Sequence, residues 1–230
     1  MDFTGHMYFS LILLPLFLIG WILKKYTLKD LGIQVASVKD FLTALSHPIL
    51  VIGLILFISF RAEVIEASHA DWMGILYSIV LQIVIGIVVL LVAEEGFFRG
   101  LLWAWLEKNG SKESGLVYRT ALAFALWELI LCFIKHDGLT AQQPFTFVIN
   151  TLLLGMIWGQ MRLKTGSILV PALSHAVWNA LILVLFGTGQ QVGLLTLSLK
   201  DICSPEVGLL GIILNGAYIW ANWLITRSDD

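Results

Sequence analysis

The stretch WMGILYSIVLQIVIGIVVLLVAEEGFFRGLLWAWL, residues 72–106, decides the fold. Its first part, 72–92, is apolar apart from Ser78 and Gln82, and a run of ~20 such residues is what a bilayer core demands. As one straight helix the whole stretch would be roughly 50 Å long, well beyond a hydrocarbon core of ~30 Å. Glu94, Glu95 and Arg99 sit inside it. The segment is therefore expected to divide near Val92 into two helical pieces that run on from each other with a kink.

The rest of the chain repeats the pattern. Apolar runs cover about 8–23, 41–60, 116–134, 145–161, 168–186 and 207–225, with a loop over 187–206 that has room for a short interfacial helix. This predicts an all-α polytopic membrane helix bundle of about eight helical segments, one transmembrane domain over residues 1–230. Composition agrees: 58% of the residues are hydrophobic and 13% charged, against about 25% charged in soluble domains. The first run has no positive leader and reads as a retained membrane helix rather than a cleaved signal. Cys132 and Cys203 lie far apart and read as reduced core residues. No basic stripe points to nucleic acid.

Basic residues orient the chain. If residues 72–106 make one net crossing, Lys24, Lys25, Lys29, Lys39, Lys108, Lys112, Arg119, Arg162, Lys164 and Arg227 fall on one side, and Arg61, Lys135 and Lys200 on the other. The positive-inside rule then puts the N-terminus outside and the C-terminus in the cytosol.

Ionisable residues within a bilayer cost ~2.5–3.5 kcal/mol each even on lenient insertion scales, so each needs a reason. Glu95 and Arg99 stand i,i+4 on one helix face and can pair. Glu94 lies about 100° round the helix, outside that pair, where a buried carboxylate is suited to general acid–base work. Gly96 and Gly100 would let another helix or a substrate backbone approach. His175 and Asn179 are also i,i+4, and two donors on one face can hold a developing oxyanion or simply join two helices. Glu128, after Phe124-Ala125-Leu126-Trp127, has no basic residue within a turn. It reads equally as a second catalytic carboxylate or as a structural partner of Arg99. His6, His47, His69 and His136 read as interfacial, without the spacing of a helical zinc pair. Trp103, Trp105, Trp127 and Trp178 read as packing.

In this order the residues resemble the CPBP family (Abi, or type II CAAX prenyl endopeptidases) of glutamic intramembrane proteases. That family shows EExxxR, FxxxH and HxxxN or HxxxD, each on its own membrane helix. The first motif matches Glu94-Glu95-Gly96-Phe97-Phe98-Arg99, and the third His175-Ala176-Val177-Trp178-Asn179. Thr165-Gly166-Ser167 and Pro171 ahead of the third motif also match, and the resemblance spans about 89–182. The second motif departs from the family pattern: Glu128 stands where histidine is expected. His136 is the other candidate for that place, but it has one residue too few after Phe133.

The resemblance implies a membrane endopeptidase acting on a membrane-associated peptide or protein in the lipid bilayer. No cofactor is expected and no obligatory metal, since no protein ligand set of the usual His/Cys type is visible, with a metal held by Glu94, Glu128 and His175 as the alternative. Glu94 would be the base that activates water, Glu95 and Arg99 its supporting pair, and His175 and Asn179 the oxyanion donors. Glu128 would share a proton with Glu94, as paired carboxylates do in aspartic proteases, which predicts an acid-shifted pH optimum. The altered second motif also admits an inactive scaffold or immunity protein of the same fold. A proton or solute carrier is a third reading, against which no inverted repeat is visible. The expected location is a prokaryotic inner membrane.

Overall fold

Apolar runs fold as helices because a bilayer leaves the backbone no other way to satisfy its polar groups. The computed structural model describes residues 10–67, 72–135, 143–188 and 191–228. Helix α1 is Leu13–Lys24, α2 Val38–Arg61 and α3 Trp72–Leu90. Helix α3 continues through a π-helical stretch, Leu91–Leu102, into α4, Trp103–Lys108. Then come α5 Glu113–Lys135, α6 Gln143–Thr165 and α7 Leu169–Leu181, the last prolonged by a π-helical turn, Ile182–Phe186. A short α8, Lys200–Cys203, precedes α9, Leu209–Ser228. Among the described residues five helices are long and apolar enough to cross a membrane: Val38–Arg61, Met73–Lys108, Glu113–Cys132, Gln143–Thr165 and Leu169–Phe186. The outward faces stay apolar, as at Met73, Tyr77, Val84 and Val88 on α3. In water that patch would be a liability; in lipid it is the expected surface. The chain is an all-α polytopic membrane helix bundle.

The long central stretch differs from expectation in an informative way. The division falls at Leu90–Leu91, beside the expected Val92, and is a change of winding rather than a gap. The stretch winds on as one helix, and from Leu91 its turns widen to the π form, which often marks functional sites. Gly96 is required there: a Cβ on it would lie 2.8 Å from the Leu91 carbonyl oxygen that the wide turn brings up. Helix α2 starts earlier than the apolar run, because Ser37 and Asp40 form a reciprocal capping box that draws Lys39 and Asp40 into its first turn. The loop 187–206 holds more order than expected. Beyond α8, strand Leu195–Leu197 pairs antiparallel with Ile65–Ala67, and Gly187–Thr188 with Gln191–Val192.

Contacts between loops sort the helix ends. Lys108 Nζ lies 3.1 Å from Asp30, and Gln34 donates to the Gly166 carbonyl at 2.9 Å, so the loop after α1, the end of α4 and the α6–α7 turn share one end. The strand pair after α2 and α7 lies at the other. Residues 72–108 therefore cross once, and the basic residues gather at the first end as the single-crossing reading requires. Asp30 is held below the usual carboxylate range, first by the Thr27 backbone N–H and then by Lys108.

Helices α5 and α6 approach closely where Gly155 meets Ala121 and Gly159 meets Val117. A Cβ on Gly155 would sit 3.0 Å from both the Cα and the Cβ of Ala121. Replacing Gly155 with Leu is expected to force the helices apart at a cost of about 1–3 kcal/mol. A thermal melt of the detergent-solubilised protein checks this, and an unchanged melt would mean the crossing tolerates bulk.

Cys132 and Cys203 are free thiols. Trp103 and Trp178 are buried as expected for packing, whereas Trp105 is exposed. His6, His69 and His136 lie outside the described residues. His47 is not interfacial: it is fully buried in α2.

Candidate functional site

The π-helical stretch buries Glu94, Glu95 and Arg99 completely. Two opposite charges in such a place must satisfy each other. Arg99 Nη1 donates to Glu95 Oε1 at 3.2 Å, across the i,i+4 spacing. Its Nη2 donates to the Gly155 carbonyl at 3.3 Å. That reach depends on the same close α5–α6 crossing. The guanidinium also lies 4.6 Å from the Phe124 ring centroid and 5.6 Å from that of Trp158. Arg162 braces the stretch from behind, donating Nε to the Arg99 carbonyl at 3.1 Å and Nη2 to the Asp30 carbonyl at 3.3 Å.

Helix α7 brings His175 against this pair. Its Nδ1 lies 3.0 Å from Glu95 Oε1, and its Nε2 lies 3.8 Å from Glu94 Oε2. The ring stacks on Trp158 with centroids 3.8 Å apart and meets Phe124 edge-on at 5.8 Å. Glu95 Oε1 accepts from Arg99 and, with a ring proton on Nδ1, from the imidazole as well. Nε2 is the nitrogen that faces Glu94. The result is a row: Arg99, Glu95, His175, Glu94.

At the far end of the row, the Ser10 hydroxyl donates to Glu94 Oε1. Glu128 is buried on α5, one turn beyond Phe124. Asn179 is half-buried, one turn beyond His175. Among the described residues its side chain makes no hydrogen bond to the row. The structure thus joins Glu94, Glu95, Arg99 and His175 directly, buries Glu128 on α5, and leaves Asn179 half-buried one turn beyond His175. Among the described residues Glu95 Oε2, Arg99 Nε and Trp158 Nε1 find no hydrogen-bond partner. Among the described residues no group of three or more His, Cys, Asp or Glu side chains is gathered to hold a metal ion.

Spacing does not reveal Ser10, Trp158 or the Gly155 carbonyl. Nor does it reveal a second buried network next to His175. Asn150 Nδ2 donates to the Pro205 carbonyl, and to the Glu206 carbonyl at 3.2 Å. Asn215 Nδ2 then donates to Asn150 Oδ1 at 2.8 Å. His47 Nε2 lies 2.9 Å from Asn215 Oδ1, and Ser174 Oγ lies 3.4 Å from His47 Nδ1. The chain has one direction: Asn215 Oδ1 can only accept, so His47 carries its proton on Nε2 and accepts on Nδ1. The network ties α2, α6 and α9 to the residue before His175. Replacing Asn215 with Leu leaves buried partners unmet at about 1–3 kcal/mol each. A lowered denaturation midpoint in detergent is expected, and an unchanged one would show that the network contributes little.

Residues 76–181 match the family described as type II CAAX prenyl endopeptidase, Rce1-like. The match takes in Glu94, Glu95, Arg99, Glu128, His175 and Asn179. No curated protein and no solved structure matches the chain.

Proposed function

The chain belongs to the type II CAAX prenyl endopeptidase, Rce1-like family, and from that premise we propose that it hydrolyses a peptide bond of a membrane-associated protein or peptide with water activated by Glu94. Its kind, an integral membrane protein of an intramembrane protease family, follows from the family and from the membrane-length helices. The catalytic detail is our reading. One observation carries it: Glu94 and His175, on different membrane helices, face each other at 3.8 Å inside a buried site braced by Glu95 and Arg99.

In this reading Glu94 takes a proton from water as the water oxygen attacks the substrate carbonyl carbon. The oxyanion that forms is held by the Asn179 amide and by His175 Nε2, which carries a proton before the attack and keeps it through the step. The tetrahedral intermediate collapses as the proton on Glu94 passes to the leaving amide nitrogen. Arg99 and Glu95 keep the imidazole aligned throughout. Glu128 stands where the family carries histidine, and we assign it a share of the Glu94 proton. Glu128→Gln is then expected to lower turnover about 100-fold, measured on any peptide the wild type cleaves. Full activity in that variant would remove Glu128 from the mechanism. Substrate selection lies between the helices, and the cell membrane of a prokaryote with the basic end in the cytosol is the setting we favour.

The test uses purified protein in detergent and a library of membrane-anchored peptides, prenylated and plain, with Glu94→Ala and His175→Ala as controls. Cleavage lost in both variants supports the enzyme. Binding without cleavage by the wild type would instead make the chain an inactive scaffold or immunity protein.

A further inference from the structure

Residue 10 lies well outside residues 76–181, so the family match does not supply it. Yet Ser10 is fully buried, and its hydroxyl donates to Oε1 of Glu94, 84 residues away. We propose that Ser10 is a positioning residue of the site, holding Glu94 Oε1 so that Oε2 faces His175. The proposal rests on the hydrolytic reading of Glu94.

A carboxylate joins its chain through a torsion with a broad, roughly two-fold profile, so burial alone does not fix its plane. The Ser10 hydroxyl supplies a directional contact, donating to Oε1. His175 Nε2 lies 3.8 Å from Oε2, in ion-pair range rather than at hydrogen-bond distance. Helix α1 sets where that hydroxyl sits. Phe17 packs on the π-helical stretch where Gly96 and Gly100 leave space, with ring atoms 3.6 and 3.7 Å from their Cβ positions. Ser10 precedes α1, separated from it by a turn at residues 11–12. The glycines of the motif thus serve a second purpose. They seat α1 closely enough for Ser10 to reach the base.

Three measurements on the intact detergent-solubilised protein test this with Ser10→Ala and Ser10→Thr. The first is kcat and KM on a cleaved peptide. The second is the labelling rate of Glu94 by dicyclohexylcarbodiimide, assigned by mass spectrometry against Glu94→Gln. The third is the melting temperature. Ser10→Ala is expected to lower kcat about 10-fold with little change in KM, since small misplacements of a reacting group have effects of that order. It is also expected to raise Glu94 labelling several-fold, and Ser10→Thr, which keeps the hydroxyl, to restore both. Labelling unchanged in Ser10→Ala overturns the proposal, whatever happens to kcat or to the melt. If the wild type cleaves no peptide, the hydrolytic reading fails. In that case a labelling rise reversed by threonine still supports the Ser10 contact, and its absence overturns it.

Discussion

Glu94→Gln is expected to abolish peptide hydrolysis, lowering kcat/KM by about 1,000-fold or more, while leaving the fold intact. The amide keeps the shape of the carboxylate, and its oxygen can still accept from Ser10. What it loses is the capacity to take a proton from water. Removing one buried charge also removes a desolvation cost, so the melting temperature should hold or rise. That combination separates chemistry from packing. A structural glutamate in this position would give the reverse, with a lower melt and little change in rate among molecules that stay folded. Rates near wild type in Glu94→Gln would end the case for Glu94 as the base and would move attention to Glu128.

Much of this architecture is legible in the chain because a helix fixes rotational phase. The i,i+4 spacing of Glu95 and Arg99 predicts their contact, and the contact is there at 3.2 Å. The same spacing puts His175 and Asn179 on one face but does not say what that face meets. It meets Glu95 and Glu94, so the histidine lies between two carboxylates before it can serve any oxyanion. Phase between helices comes from packing, which single-helix periodicity does not encode. The network of His47, Asn215 and Asn150 shows why: each residue is a lone polar group in its own apolar run, and only the packed bundle joins them. Ser10 is hidden for the same reason, a small hydroxyl that disturbs no hydropathy pattern. The π winding is hidden too, because Gly96 in a motif signals close approach without saying that the approaching group is the helix's own Leu91 carbonyl.

The largest loss of stability is expected from Arg99→Leu. Arg99 is fully buried, and Glu95 beside it is equally so. Removing the cation leaves Glu95 with His175 as its remaining polar partner among the described residues and deprives the Gly155 carbonyl of its side-chain donor. Breaking a buried pair from one side typically costs about 3–5 kcal/mol, which for a chain of this size is a melting shift on the order of 10 °C. Arg99→Lys should recover only part of it. An ammonium can meet Glu95 but cannot also present the planar fork that reaches Gly155 and lies over Phe124. The double variant Glu95→Gln with Arg99→Leu decides the cause, because it removes the stranded charge along with its partner. If burial of an uncompensated carboxylate is what costs, the double variant melts well above Arg99→Leu. If the two losses simply add, Arg99 stabilises through its ring and carbonyl contacts instead, and the row from Arg99 to Glu94 is not the electrostatic unit that sets the imidazole in place.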